Sequence, residues 1–267
     1  MLKNKKLIIT IMIILLIFIA IIITALFVLP NFSKEIQSRN NSTKQTTTEQ
    51  EVPEEELENK FLSIFTDIDY NQENQEIIST VYEYQRNEEN KYEVNVHIPK
   101  INFETCKGIN SEILEIFGRK LLDIVQNNQE FTKYNVDYVS YSNQGIISLI
   151  IKCTLKEGSS PQRVIIKTYN YYINEERLIT LEEIIKNKNI DEQKLQEQIY
   201  KKTRQKNENA QALAEQGYNI YVRDLSSAEY EIANIENYYL GNDGNVYIVF
   251  AYGNKNFTET IDIIRLK

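Results

Sequence analysis

Histidine is nearly missing from this chain. His97 is the only one among 267 residues, accompanied by two cysteines, no tryptophan, eight glycines and four prolines. One histidine and two cysteines cannot assemble the four-ligand His/Cys sets of common zinc sites. There is no G-x-S-x-G, no phosphate-cradling glycine loop and no Cys and His pair in a nucleophile setting. Asp67-x-Asp69-x-Asn71 imitates the start of a calcium loop, but Gln72 stands where glycine is needed and Ile78 where glutamate is needed. His97 falls on the polar side of an alternating strand and is expected to face solvent. No metal, cofactor or catalytic residue is therefore expected, and the inventory argues against an enzyme. Carboxylate pairs for glycoside hydrolysis stay open, because 38 acidic residues always leave some two within reach.

Apolar residues are 42% of the chain but unevenly spread. Leu7 to Leu29 runs without a charge, its only polar members being Thr10 and Thr24. As a helix rising about 1.5 Å per residue, such a run crosses a hydrocarbon core of about 30 Å. Lys3, Lys5 and Lys6 precede it, so the positive-inside rule places residues 1–6 in the cytoplasm and the remainder outside. A cleavable signal peptide shares this layout, but its apolar part is shorter and ends in an A-x-A-like site. Here the run ends Leu29-Pro30-Asn31-Phe32, which favours an uncleaved single-pass anchor in the cell membrane, residues 7–29. The whole chain carries −8, and without the three lysines before the run the exported part carries −11. Such a surface repels nucleic acid and anionic lipid and favours cationic partners, although an acidic bias also serves plain solubility.

Residues 30–59 are polar and lack period, the signature of a disordered tether. Periodic patterns begin at Lys60. Tyr92, Val94, Val96 and Ile98 alternate with polar neighbours, predicting a half-buried strand partnered by Ile77 to Arg86. Ile109, Ile113, Phe117, Leu121 and Val125 recur at helical spacing. Strands follow at Asn135 to Tyr141, Ile146 to Leu155 and Arg163 to Ile173. Thr180-Leu181-Glu182-Glu183 reads as a capping box opening a short helix, and Asp191 as the cap of a longer one ending near Gly217, whose thin apolar stripe predicts a surface position. Glu236 to Leu240 and Val246 to Tyr252 flank the turn Gly241-Asn242-Asp243-Gly244-Asn245 as a hairpin, and Thr260 to Leu266 supplies a last strand. The expected fold class is α+β, antiparallel sheets with helices packed on one face. Gly158-Ser159-Ser160-Pro161 is the expected hinge between two subdomains, 60–157 and 158–267.

Cys106 shares the face of Ile109 and Ile113, and Cys153 continues the row Ile147, Leu149 and Ile151. Both are expected inside a helix and sheet interface, either bonded to each other in an oxidising exterior or as buried free thiols. The 18 tyrosines are the remaining oddity. Tyr169, Tyr171 and Tyr172 on one strand, with Tyr138 and Tyr141 on another, are the candidate lining of a binding surface, since rigid amphipathic rings suit protein or sugar recognition. Tyrosine is also a good strand former, which accounts for such residues without any ligand.

Val96-His97-Ile98-Pro99-Lys100-Ile101 followed by Ile109-Asn110-Ser111-Glu112-Ile113 resembles the small domain on the N-terminal side of PdaC-type peptidoglycan deacetylases. Thr168 to Tyr172, Leu178 to Ile185 and Tyr238 to Tyr252 resemble its companion domain, and the same pair forms the lysozyme-binding ectodomain of RsiV-type anti-sigma factors. The resemblance covers nearly all of residues 75–267. It implies a non-enzymatic extracytoplasmic sensor or binding module of a Gram-positive-like cell envelope, whose partner is an extracellular protein such as lysozyme or peptidoglycan. The deacetylase's catalytic domain has no counterpart here, so that activity is not implied. Residues 1–6 cannot hold a sigma factor, which leaves an anti-sigma-like protein with a start upstream as the alternative. A wall hydrolase or esterase is a third reading, disfavoured by the inventory.

Overall fold

The strand pattern read from the sequence resolves into two sheets. The computed structural model describes residues 54–66, 68, 70, 76–127, 129–254 and 257–266. The apolar run 7–29, the polar stretch up to residue 53 and the pair Asp67 and Asp69 lie outside the described residues. Among the described residues no helix is long and apolar enough to cross a membrane.

Helix α1 (Glu54–Ser63) opens the described chain, so the last residues of the expected tether are helical. Strands β1 (Ile78–Glu88) and β2 (Tyr92–Ile101) form an antiparallel pair. Helix α2 (Lys107–Ile113), a π-helical stretch (Leu114–Gly118) and α3 (Arg119–Asn127) then carry the chain across the sheet to β3 (Thr132–Asn143). β3 runs parallel to β2, the one parallel pairing among the described strands, and a parallel pair requires such a crossover. Strands β4 (Ile146–Glu157), β5 (Arg163–Tyr172) and the two-residue β6 (Arg177–Leu178) complete a six-stranded sheet in sequential order. After α4 (Leu181–Asn187) and α5 (Glu192–Glu215), strands β7 (Tyr238–Leu240), β8 (Val246–Asn254) and β9 (Phe257–Leu266) make a second, antiparallel sheet.

Burial explains the layering. Val94, Val96 and Ile98 of β2 and Leu149, Ile151 and Cys153 of β4 meet Ile113, Phe117, Leu121 and Ile124 of the crossover helix. Gly118 makes that approach close, since a Cβ there would come within 2.8 Å of Leu114 Cδ1 and 3.5 Å of Ile98 Cδ1. In β4 six consecutive residues, Ile146 to Ile151, are buried, so this strand is covered on both faces. Its second face, at Ile150, joins Val164 and Ile166 of β5 against Val249, Ile261 and Ile263 of the second sheet and Phe61 and Phe65 of the α1 region. The far side of the second sheet, Ile248, Phe250, Ile264 and Leu266, rests on Ile184, Ile185, Leu195 and Ile199 of α4 and α5. Helices were expected on one face only; the other face of the large sheet is instead covered by a sheet, because β4 and β5 present apolar side chains both ways.

Two further expectations are corrected. A division at 157/158 falls within the β4–β5 hairpin, whose paired residues run from Ile146↔Tyr172 to Leu155↔Arg163, so Gly158 to Pro161 is a turn inside one sheet. All described elements belong to one compact unit, Val52–Lys267. Helix α5 is also less superficial than its apolar stripe suggested, since Leu195, Ile199, Thr203, Asn207 and Ala210 are all buried. Asn207 Oδ1 accepts from the Arg223 amide at 2.9 Å, and the Arg223 side chain makes a buried two-point bond to Asp262, both contacts at 2.7 Å. The capping box is formed as read, with Thr180 Oγ1 accepting from the Glu183 amide and the Glu183 carboxylate accepting from the Thr180 amide.

The sheets are joined by a buried polar seam. Ser148 Oγ donates to Asn170 Oδ1 at 2.6 Å and accepts from the Leu240 amide at 2.9 Å. Asn170 Nδ2 donates to the Tyr238 carbonyl at 2.7 Å, and Thr168 Oγ1 accepts from the Tyr238 amide at 2.9 Å. Asn170→Ala removes the partner of two groups, the buried Ser148 hydroxyl and the half-buried Tyr238 carbonyl. At 1–3 kcal/mol for each unsatisfied group, urea denaturation is expected to show a loss of about 3 kcal/mol; a loss within about 0.5 kcal/mol, the range of ordinary surface substitutions, would show that the seam contributes nothing.

Candidate functional site

Where α1, the end of β3 and the β7–β8 hairpin meet, the described surface opens into a cleft of about 230 Å³. Leu57, Lys60, Phe61 and Ile64 line it from the α1 side, a spacing that keeps the first three on one helical face. Tyr141 comes from β3, Tyr239 from β7, Gly241, Asn242 and Asp243 from the turn, and Tyr247 from β8. Tyr239 and Tyr247 stand directly opposite in the hairpin register, and their rings stack at 4.9 Å. The Tyr239 ring is flanked in addition by Phe61 at 6.0 Å and Tyr141 at 5.9 Å.

The turn is built to hold a carboxylate. Gly241 donates to the Asn245 carbonyl and Gly244 to the Gly241 carbonyl, each at 2.9 Å. Asn143 Nδ2 ties the loop to β3 by donating to the carbonyls of Gly241 (3.2 Å) and Asn242 (3.1 Å). A Cβ at residue 241 would meet Asp243 Oδ1 at 2.8 Å and the Tyr247 ring at 2.9 Å, so only glycine lets the two approach. Asp243 accepts from the Tyr247 hydroxyl (2.6 Å), the Asn245 amide (3.1 Å) and Asn245 Nδ2 (2.9 Å). Burial alone would raise its pKa, but these bonds and the nearby Lys60 charge prevail and hold it below the usual carboxylate value. Burial and the Asp243 charge in turn push the Tyr247 hydroxyl up to about 12. Burial together with neighbouring charge raises Tyr141 and Tyr239, whose hydroxyls have no hydrogen-bond partner among the described residues.

Of the five tyrosines singled out from the sequence, only Tyr141 lines this cleft. Tyr138 is buried and shares a 2.7 Å bond with Thr80. Tyr169 donates to Glu112 at 3.1 Å, and Tyr171 pairs with Thr105 at 2.6 Å while stacking on Phe103, all in the helix-side core. Tyr172 packs against the other core. The strands scatter the set because side chains alternate faces: residues 169 and 171 point opposite to 172, and 138 opposite to 141. Tyr239, Tyr247, Asp243 and Lys60 are not among those five or any other sequence candidates, although the hairpin is legible in the sequence and its register alone places Tyr239 across from Tyr247.

His97 departs from its expected solvent-facing place. Its side chain is only 14% exposed, because the Tyr70 ring stacks on it at 4.2 Å, with Asp137 and Glu83 beside it at 3.4 and 3.5 Å. Among the described residues no group of three His, Cys, Asp or Glu side chains is arranged to hold a metal ion. Cys106 and Cys153 are both buried in the helix-side core and both free, so of the two states posed for them the structure has the thiols. Burial raises both, Cys153 to about 12, which keeps them protonated and unreactive.

Two outcomes follow. Alkylation of the denatured chain without reductant is expected to add two groups by mass, and no addition would show a disulfide. Tyr247→Phe removes the hydroxyl that helps hold Asp243 low, so the Asp243 pKa rises in a carbon-detected titration. A depressed carboxylate contributes stability above its unfolded value of about 3.9 and loses it as pH falls through the folded value. The variant's deficit, about 1 kcal/mol after solvent screening, should therefore be present at pH 7 and vanish in acid; a pH-independent deficit would contradict this.

No family model matches the sequence, and no curated protein matches it. Among solved structures the chain is similar to a DUF3298 family protein from Pseudomonas aeruginosa PAO1, with 12% identity over 71% of this chain and 88% of the other and a TM-score of 0.41. It is also similar to a DUF3298 family member from Bacteroides fragilis NCTC 9343, with 9% identity over 64% and 81% of the two chains and a TM-score of 0.35.

Proposed function

We propose that this chain is a membrane-anchored extracytoplasmic binding module that performs no chemistry and recognises an extracellular protein such as lysozyme, or a cell-wall glycan, through the cleft beside the β7–β8 hairpin. The observation that carries the reading is a coincidence of motif and geometry. Tyr239, Gly241, Asn242, Asp243 and Tyr247 belong to the segment that resembles the companion domain of RsiV-type ectodomains, and the same five residues line the cleft. Its aromatic walls and few convergent polar groups are the usual make-up of a recognition site. Glycoside hydrolysis uses two carboxyl groups about 5–9.5 Å apart, and among the described lining residues Asp243 is the only carboxylate. The uncharged run Leu7 to Leu29 with its preceding lysines supports the anchor and the outward orientation.

The test uses the full chain extracted in detergent and immobilised, presented in turn with lysozyme and with purified peptidoglycan. Retention of one of them, weakened at least tenfold by Tyr239→Ala with the fold intact by circular dichroism, is the expected result. Retention of neither would overturn the proposal.

A further inference from the structure

The cleft is small and carries unspent polar capacity. At about 230 Å³ it falls below the roughly 300–1,000 Å³ of sites that enclose drug-sized ligands, and so takes one side chain or one sugar ring. Its rings leave little for a sugar to lie on. Tyr239 and Tyr247 stack nearly parallel, 11° apart, and Phe61 and Tyr141 close around Tyr239. Tyr239 and Tyr247 are each only 6% exposed. The lining residues also carry oxygen: the Asp243 carboxylate, and the hydroxyls of Tyr141 and Tyr239, which have no partner among the described residues.

Asp243 is charged, yet its three hydrogen-bond donors, the Tyr247 hydroxyl and two groups of Asn245, are all neutral. Lys60, the one cation on the rim, is exposed and makes no ion pair with it among the described residues. An alkylammonium has three donors and no acceptor, which matches one carboxylate oxygen and two hydroxyls. The chain's charge of −8 favours approach by a basic partner. We infer that the cleft receives a single cationic side chain, a lysine or arginine presented by a basic protein, between Asp243 and the hydroxyls of Tyr141 and Tyr239. This rests on the binding-module reading and narrows its partner to a basic polypeptide.

The probes are two pentapeptides with blocked ends, one lysine or one arginine among glycines, and an Nε-acetyl-lysine control, followed by saturation-transfer NMR on the full chain in detergent micelles. Both charged peptides should bind, more weakly as salt rises, and the acetylated one should not. Asp243→Asn should weaken binding at least tenfold. Tyr141→Phe, which removes one hydroxyl and keeps the ring, should weaken it severalfold. Lys60→Gln should tighten it by removing a competing charge. Equal binding of the acetylated peptide, no binding of either charged one, or affinity unchanged in both Asp243→Asn and Tyr141→Phe overturns the inference. If lysozyme or peptidoglycan is retained while the charged peptides fail, this inference falls alone. If neither is retained while the peptides behave as stated, the proposed function falls alone.

Discussion

The outer edge of β7 is the constraint on which the arrangement of the two sheets depends. β7 is a three-residue edge strand, and its side away from β8 would leave the Tyr238 amide, the Tyr238 carbonyl and the Leu240 amide without partners in the interface between the sheets. An open edge of this kind is both costly and prone to pairing with another chain. Here the large sheet supplies the missing partners with side chains in place of a further strand: Thr168 and Asn170 from β5 and Ser148 from β4. Ser148 and Asn170 each donate and accept, so their hydroxyl and amide close one continuous chain of bonds. Apolar contact alone would let the sheets slide over one another. The seam fixes their register, because moving β7 by one residue would present every one of these groups with the wrong partner.

That register also sets the cleft. Residues 238 and 240 are the pinned ones, and Tyr239 between them points to the other face of β7, into the cluster with Phe61, Tyr247 and Ile150. Asn143, at the end of β3, ties down the turn that follows β7. The site is therefore held from both sides, by the seam through β7 and by Asn143 through the turn. Recognition residues on rigid elements keep their geometry better than residues on free loops.

Much of the local structure was legible in the sequence because it is written in local chemistry. The alternation in β2, the apolar face of the crossover helix, the Thr180 capping box and the β7–β8 hairpin each follow from spacing within a dozen residues. The misread features are those decided at a distance. Gly158 to Pro161 has the composition of a linker, and only the pairing of Arg163 with Leu155 reveals it as a turn. Thr203 and Asn207 interrupt the apolar stripe of α5 and hid its burial; Asn207 is inside because the Arg223 amide needs an acceptor there. His97 was assigned to solvent by alternation, which cannot foresee that Tyr70 would cover that face. Of the cleft, Tyr141 was named, whereas Lys60 and Phe61 reach it from a segment whose proximity no pattern in the sequence announces.

The tyrosines divide by how their hydroxyls are satisfied. Their abundance suggested a binding surface, but several serve as links between layers, with the ring in a core and the hydroxyl bonded to a different element. Tyr134 donates to the Phe117 carbonyl of the crossover helix, Tyr238 to the Ile179 carbonyl ahead of α4, and Tyr230 pairs with Tyr252 of β8. In a chain without tryptophan, tyrosine is the aromatic that joins a packed ring to a polar tip, and the tip is bonded because a buried hydroxyl without a partner is costly. Tyr141 and Tyr239 differ from these: both line the cleft that also holds Asp243, whose charge acts on both, and their hydroxyls have no partner among the described residues. These two hydroxyls keep unused bonding capacity, so the informative quantity is how each hydroxyl is satisfied, not how many tyrosines the sequence contains.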